Sequence, residues 1–91
     1  MAGRRASVIL FAREHCGLCE HMKETILAVQ SKVPFDFCEI DIDKRENKNW
    51  LRKYMFDVPV VHVNGQEAFK HRLEDRDVLA LERLVKETLK A

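Results

Sequence analysis

Residues 7–11, Ser-Val-Ile-Leu-Phe, form a short continuous apolar run. The run predicts a strand buried on both faces, since a strand covered on one face alternates apolar with polar residues. The rhythm then changes. Leu18, Met22, Ile26 and Val29 recur at helical spacing and predict a helix over about residues 17–31. Beyond Pro34, residues 35–42 predict a second strand, with Cys38, Ile40 and Ile42 on one face and Phe37, Glu39 and Asp41 on the other. That alternation makes Cys38 a buried, inert core thiol. Asp41 or Asp43 is placed to cap a second helix over about residues 44–55, whose apolar side is Trp50, Leu51 and Tyr54.

Residues 60–63 and 66–71 predict a third and a fourth strand. Asn64-Gly65 between them is the strongest short hairpin signal. Pro59 stands at the entrance of the third strand, where it removes no central ladder donor. The last helix is expected to start near Asp75 as its cap, with Val78, Leu81, Val85 and Leu89 as its inward stripe. The order is therefore β-α-β-α-β-β-α, an α/β class. Its strand–helix–strand unit takes a right-handed crossover. The expected sheet has four mixed strands, with the first and last helices on one face and the middle helix on the other. No linker, internal repeat or low-complexity tract interrupts residues 1–91, which read as one domain.

Charge narrows the function. Sixteen Lys and Arg against fifteen Asp and Glu leave +1, which argues against bulk electrostatic binding of nucleic acid or anionic membrane. No apolar stretch reaches the length of a membrane span. The start, with Arg4 and Arg5, shows no apolar signal segment, so a cytoplasmic monomer is expected, with a mitochondrial location as the alternative. Three cysteines in an intracellular chain point to chemistry and not to a disulfide framework.

That chemistry lies in Cys16-Gly17-Leu18-Cys19, just after the first strand and at the start of the first helix. Two cysteines at this spacing and place read as a redox-active dithiol/disulfide. Free N–H groups and the positive end of the helix dipole stabilise a thiolate on Cys16, the expected nucleophile. Cys19, one turn deeper, is the expected resolving thiol. A zinc site would need a second tight ligand pair. His15, His21 and Cys38 supply none, so no metal is expected. His15 and Arg13 stand where a positive charge favours the thiolate, although a solvated loop explains each as well. Arg52 and Lys53 read as an exposed helix face before they read as a small-anion site. His21, His62 and His71 have structural or surface readings.

These residues resemble the glutaredoxins of the thioredoxin-like fold, over nearly the whole chain. Residues 8–16 resemble the family's first strand and active-site approach, with Arg13 where lysine is common. Val58-Pro59 resembles its cis-proline dipeptide. Within the family, the run Tyr54–Val60 followed by His62–Gly65 resembles a branch of small glutaredoxin-like proteins. The resemblance implies a thiol–disulfide oxidoreductase serving electron transport and cell redox homeostasis. Its partners would be protein or small-molecule disulfides, and no prosthetic group is required. Val58 and Pro59 would form the substrate platform, the Val58 N–H and C=O turned outward to pair with an extended thiol-bearing peptide, and Arg13 would assist. Three departures bear on glutathione as co-substrate: Gly17-Leu18 replaces Pro-Tyr, Asp57 replaces threonine, and residues 71–75, His-Arg-Leu-Glu-Asp, lack the glycine pair that clamps the γ-glutamyl end. Weak use of glutathione follows. Two other functions fit the same residues: an iron–sulfur carrier, favoured by the small Gly17, and a redox-inert interaction module.

Overall fold

The computed structural model describes residues 5–90. The elements are β1 (Ser7–Ala12), α1 (Gly17–Gln30), β2 (Asp36–Asp41), a 3₁₀ turn (Arg45–Asn47), α2 (Lys48–Tyr54), β3 (Val60–Val63), β4 (Gln66–Lys70) and α3 (Asp75–Lys90). The sheet order is β2-β1-β3-β4. β1 runs parallel to β2 and antiparallel to β3, and β3 is antiparallel to β4. This is the mixed four-stranded α/β arrangement that the sequence predicts.

Hydrophobic patterning explains which strands are central. β1 and β3 are apolar on both faces and occupy the middle, while the more polar β2 and β4 form the edges. Alternation along each central strand then divides the core. Val8, Leu10 and Ala12 of β1 join Val61 and Val63 of β3 beneath α1 and α3, which contribute Cys19, Met22, Ile26, Val29, Leu81 and Val85. Phe11 and Val60 face the other way and meet Tyr54, with Trp50 and Leu51 packed alongside. Asn64 and Gly65 both have positive φ, 52° and 82°, as a tight two-residue hairpin turn between twisted strands requires.

Several expected details differ. Leu18 is exposed, and Cys19 takes the inward position, so the buried stripe of α1 is Cys19, Met22, Ile26 and Val29. Cys38 is exposed and not a core thiol. Its neighbour on that face, Ile40, packs against the α2 cluster, but α2 is only seven residues long and leaves Cys38 on the same face uncovered. Neither Asp41 nor Asp43 caps a helix. The Asp41 side chain accepts the Asp43 N–H in a local turn, and the helix begins later, after the 3₁₀ turn. Asp75 is the first residue of α3 and not its cap. The carbonyl of Glu74 accepts the first helical N–H groups, and the Asp77 carboxylate reaches back to the Glu74 N–H at 2.9 Å. The stripe Val78, Leu81, Val85 and Leu89 packs on the core as expected. Among the described residues, no helix is long and apolar enough to cross a membrane.

Candidate redox site

β1 ends at Ala12 against the sheet centre, and a four-residue loop carries the chain to α1. Within it, His15 adopts φ 57°, a left-handed conformation unusual outside glycine. The loop sets Cys16 as the N-cap of α1, in extended conformation. The Cys16 Sγ accepts the backbone N–H of Cys19 at 3.2 Å, and the Cys16 carbonyl accepts the Glu20 N–H. A helix start leaves its first N–H groups without partners, so this sulfur takes the role usually played by a serine or aspartate oxygen. Cys16 and Cys19 are disulfide-bonded, with Cα atoms 5.2 Å apart. Their exposures differ. Cys19 is buried at 3 %, whereas Cys16 lies partly open to solvent. A Cβ at Gly17 would meet nothing within 4 Å, so the surface between the two cysteines is open at that position.

Facing Cys16 is the segment between α2 and β3. Val58–Pro59 is a cis peptide. Pro59 is buried and its carbonyl accepts the His71 N–H at 2.7 Å, which ties the end of β4 to this loop. The Val58 N–H is not turned outward for a substrate. It donates to the Tyr54 carbonyl at 3.2 Å, at the last turn of α2. This corrects half of the expected platform, and the physical reason is the helix end itself, which needs donors for its last carbonyls. Among the described residues no donor reaches the Val58 carbonyl.

A groove of about 410 Å³ connects the two segments, with Arg13, Glu14, His15 and Cys16 on one side and Asp43, Met55, Phe56 and Val58 on the other. Four of the residues singled out in the sequence, Arg13, His15, Cys16 and Val58, thus line one groove, while Cys19 and Pro59 are buried. Arg13 is held by partners of its own. Its Nε donates to Asp43 Oδ2 at 2.9 Å and an Nη donates to the Met55 carbonyl at 3.3 Å. The hydrogen bond to Asp43 holds its pKa above the ordinary arginine value. Arg52 and Lys53 lie outside the groove, and Lys53 Nζ sits 5.4 Å above the Tyr54 ring. Asp57 faces Lys70 and His71, at 4.0 and 3.8 Å.

One cluster behind the groove was not anticipated. His62, buried in β3, shares a 2.8 Å hydrogen bond between its Nε2 and the Tyr54 hydroxyl, which donates to Glu67 Oε1 at 3.0 Å. With Glu67 ionised the phenol proton goes to the carboxylate, so His62 Nε2 carries the hydrogen that faces the Tyr54 oxygen. The hairpin contained the signal: a two-residue Asn64-Gly65 turn pairs His62 with Glu67 across the strands.

The glutaredoxin-like domain model (DUF836) matches residues 7–82. The chain belongs to this glutaredoxin-like family. A relative, the glutaredoxin-like protein YDR286C homolog of Dictyostelium discoideum, is 38 % identical over 89 residues, 92 % of this chain and 82 % of its own. The solution NMR structure of protein Ne2328 from Nitrosomonas europaea is 31 % identical with TM-score 0.67, covering 85 % of this chain and 89 % of that one. Oxidised thioredoxin O2 of Arabidopsis thaliana, at 23 % identity and TM-score 0.63 over 94 % of this chain and 76 % of its own, shares the fold. The glutaredoxin-like assignment and the paired Cys16 and Cys19 support a redox role for the chain.

Proposed function

We propose that this glutaredoxin-like chain is a thiol–disulfide oxidoreductase that cycles Cys16 and Cys19 between dithiol and disulfide. The observation that carries the proposal is the Cys16 Sγ, partly exposed and already accepting the Cys19 N–H at the start of α1. In the reduced protein that N–H and the helix dipole favour the thiolate. The thiolate attacks one sulfur of a substrate disulfide. A Cys16–substrate bond forms, the substrate S–S bond breaks, and the departing thiolate takes a proton from solvent. Cys19 then loses its proton to solvent and attacks Cys16 Sγ. The intramolecular disulfide closes, and the second substrate thiolate leaves and takes a proton from solvent. The substrate has gained two electrons and two protons, and an external dithiol returns the enzyme to its reduced form. No prosthetic group enters the cycle, and the proposed working form is a monomer.

Glutathione is a poor fit as the returning thiol. It brings two carboxylates, and residues 71–75, which would receive its γ-glutamyl end, lack the glycine pair that lets backbone N–H groups come close to a ligand. The Glu74 N–H there is already taken by Asp77.

The test uses single-cysteine variants with Cys38→Ser, since the exposed Cys38 would otherwise react. The iodoacetamide rate of Cys16 should titrate with a midpoint below the free-thiol value of about 8.5, and that of Cys19 above it. Equal titration of both near that value would overturn the assignment. A visible chromophore on freshly purified protein would point instead to cluster carriage.

A further inference from the structure

Six large apolar side chains are exposed among the described residues: Leu18, Leu27, Met55, Phe56, Leu79 and Leu84. Three of them fall in the two short segments that frame the disulfide. Leu18 lies between the cysteines, and Met55 and Phe56 form the turn between α2 and Val58. Phe56 is the extreme case at 90 % exposure, and with Met55 it lines the groove that holds Cys16. Single exposed hydrophobes are ordinary, but their concentration around one reactive sulfur is not random scatter.

The polar groups of the groove sharpen the point. A substrate strand can donate one N–H to the open Val58 carbonyl, but it finds the Val58 N–H committed to Tyr54. Backbone pairing is thereby halved, and side-chain contact must supply the rest of the affinity. The charges are also unequal. Arg13 and Asp43 cancel in their ion pair, which leaves the Glu14 carboxylate as the uncompensated charge.

Resting on the oxidoreductase reading above, we infer that the groove takes a polypeptide disulfide whose cysteine is flanked by a large apolar side chain, seated on Phe56 and Met55, and by a basic residue facing Glu14. The Cys16 thiolate attacks the peptide cysteine sulfur and forms the mixed disulfide while the other half leaves as a thiolate. The electrons come from the Cys16–Cys19 dithiol.

Reduced protein in the Cys38→Ser background is mixed with short peptides whose single cysteine is capped by nitrothiobenzoate, so that every peptide shares one chromogenic leaving group. A peptide with leucine before and lysine after the cysteine should react about tenfold faster than its glycine-for-leucine analogue. It should react about threefold faster than the glutamate-for-lysine analogue at low salt. Phe56→Ala should bring the leucine-to-glycine ratio down to about two, and Phe56→Leu should keep most of it. Glu14→Gln should erase the lysine-to-glutamate preference. A leucine-to-glycine ratio near one in the unmodified groove, a ratio unchanged by Phe56→Ala, or a glutathione-derived mixed disulfide that outpaces the leucine–lysine peptide would each overturn the inference. Absence of nitrothiobenzoate release with every peptide would instead overturn the oxidoreductase reading, and this inference with it.

Discussion

At the scale of single residues, the difference between the two cysteines rests on one turn of helix. Cys16 caps α1 and remains open, while Cys19, three positions on, points into the core with Met22 and Ile26. Arg13 shows how a neighbour can redirect a charge. Its guanidinium lines the groove, but Asp43 pairs its charge and, with the Met55 carbonyl, takes two of its five donors. Asp43→Ala should release that charge toward Cys16. The reduced variant should then react with an anionic aromatic disulfide faster, relative to an uncharged one, by about two- to fivefold at low ionic strength. The gain should collapse in high salt. Stopped-flow rates for the two disulfides check it, and an unchanged ratio would mean that the Arg13 charge does not reach the sulfur.

At the scale of elements, Tyr54 joins α2 to the β3–β4 hairpin through His62 and Glu67. Burial is the main cause that pushes the Tyr54 phenol up to about 12, with the Glu67 hydrogen bond and charge adding to it. Burial lowers the His62 pKa, against the pull of Glu67. The hydrogen bond from Tyr54 lowers that of Glu67. The signs follow by linkage. His62 favours its neutral form in the fold, so its contribution is complete above its ordinary value of 6.5 and declines as the pH falls below it. The Glu67 contribution is lost below its ordinary 4.5. Tyr54 favours its protonated form, so its contribution is complete below 10 and disappears as the pH rises toward about 12. Stability should therefore be greatest between about pH 7 and 9, which urea midpoints across the range would measure. This is the chain's single tyrosine. Its phenolate absorbance should appear well above pH 10 in the folded protein and near 10 once unfolded. Tyr54→Phe should cost about 1–3 kcal/mol at neutral pH, because it strands buried polar partners. A folded-state titration near 10 would contradict the network.

At the scale of the whole molecule, the formal charge of +1 reflects local compensation at the sheet end that carries the disulfide. Asp43 pairs with Arg13, Asp57 faces Lys70 and His71, and Arg72 and Arg76 stand among Glu74, Asp75 and Asp77. What residues 71–75 lack is a glycine pair that would let backbone N–H groups come close to the γ-glutamyl end of glutathione. Consumption of NADPH with glutathione, glutathione reductase and a small mixed disulfide should run at least about tenfold below an ordinary dithiol glutaredoxin, while a chemical dithiol supports full cycling. Turnover equal to that control would restore plain glutathione dependence.

Local physics made much of this legible in the sequence. The doubly apolar run of β1, the helical stripe of α3, the Asn64-Gly65 turn and the position of Cys16 at a strand-to-helix junction depend on contacts a few residues apart, and each is read from spacing. Tertiary structure decided the rest. Cys38 alternates correctly for a core position, yet it is exposed, because an edge strand is buried only where a helix covers it and α2 is short. Arg13 carries a charge visible in the sequence, but its effect depends on Asp43, thirty residues away. The Val58 N–H belongs to the end of α2, and His62 lies in an aromatic cluster with Phe11, Trp50 and Tyr54. The sequence determined the reactive pair and the frame that presents it. Which charges are cancelled, which donors are taken and which apolar side chains are left uncovered were decided by packing, because each depends on partners that only the folded chain brings together.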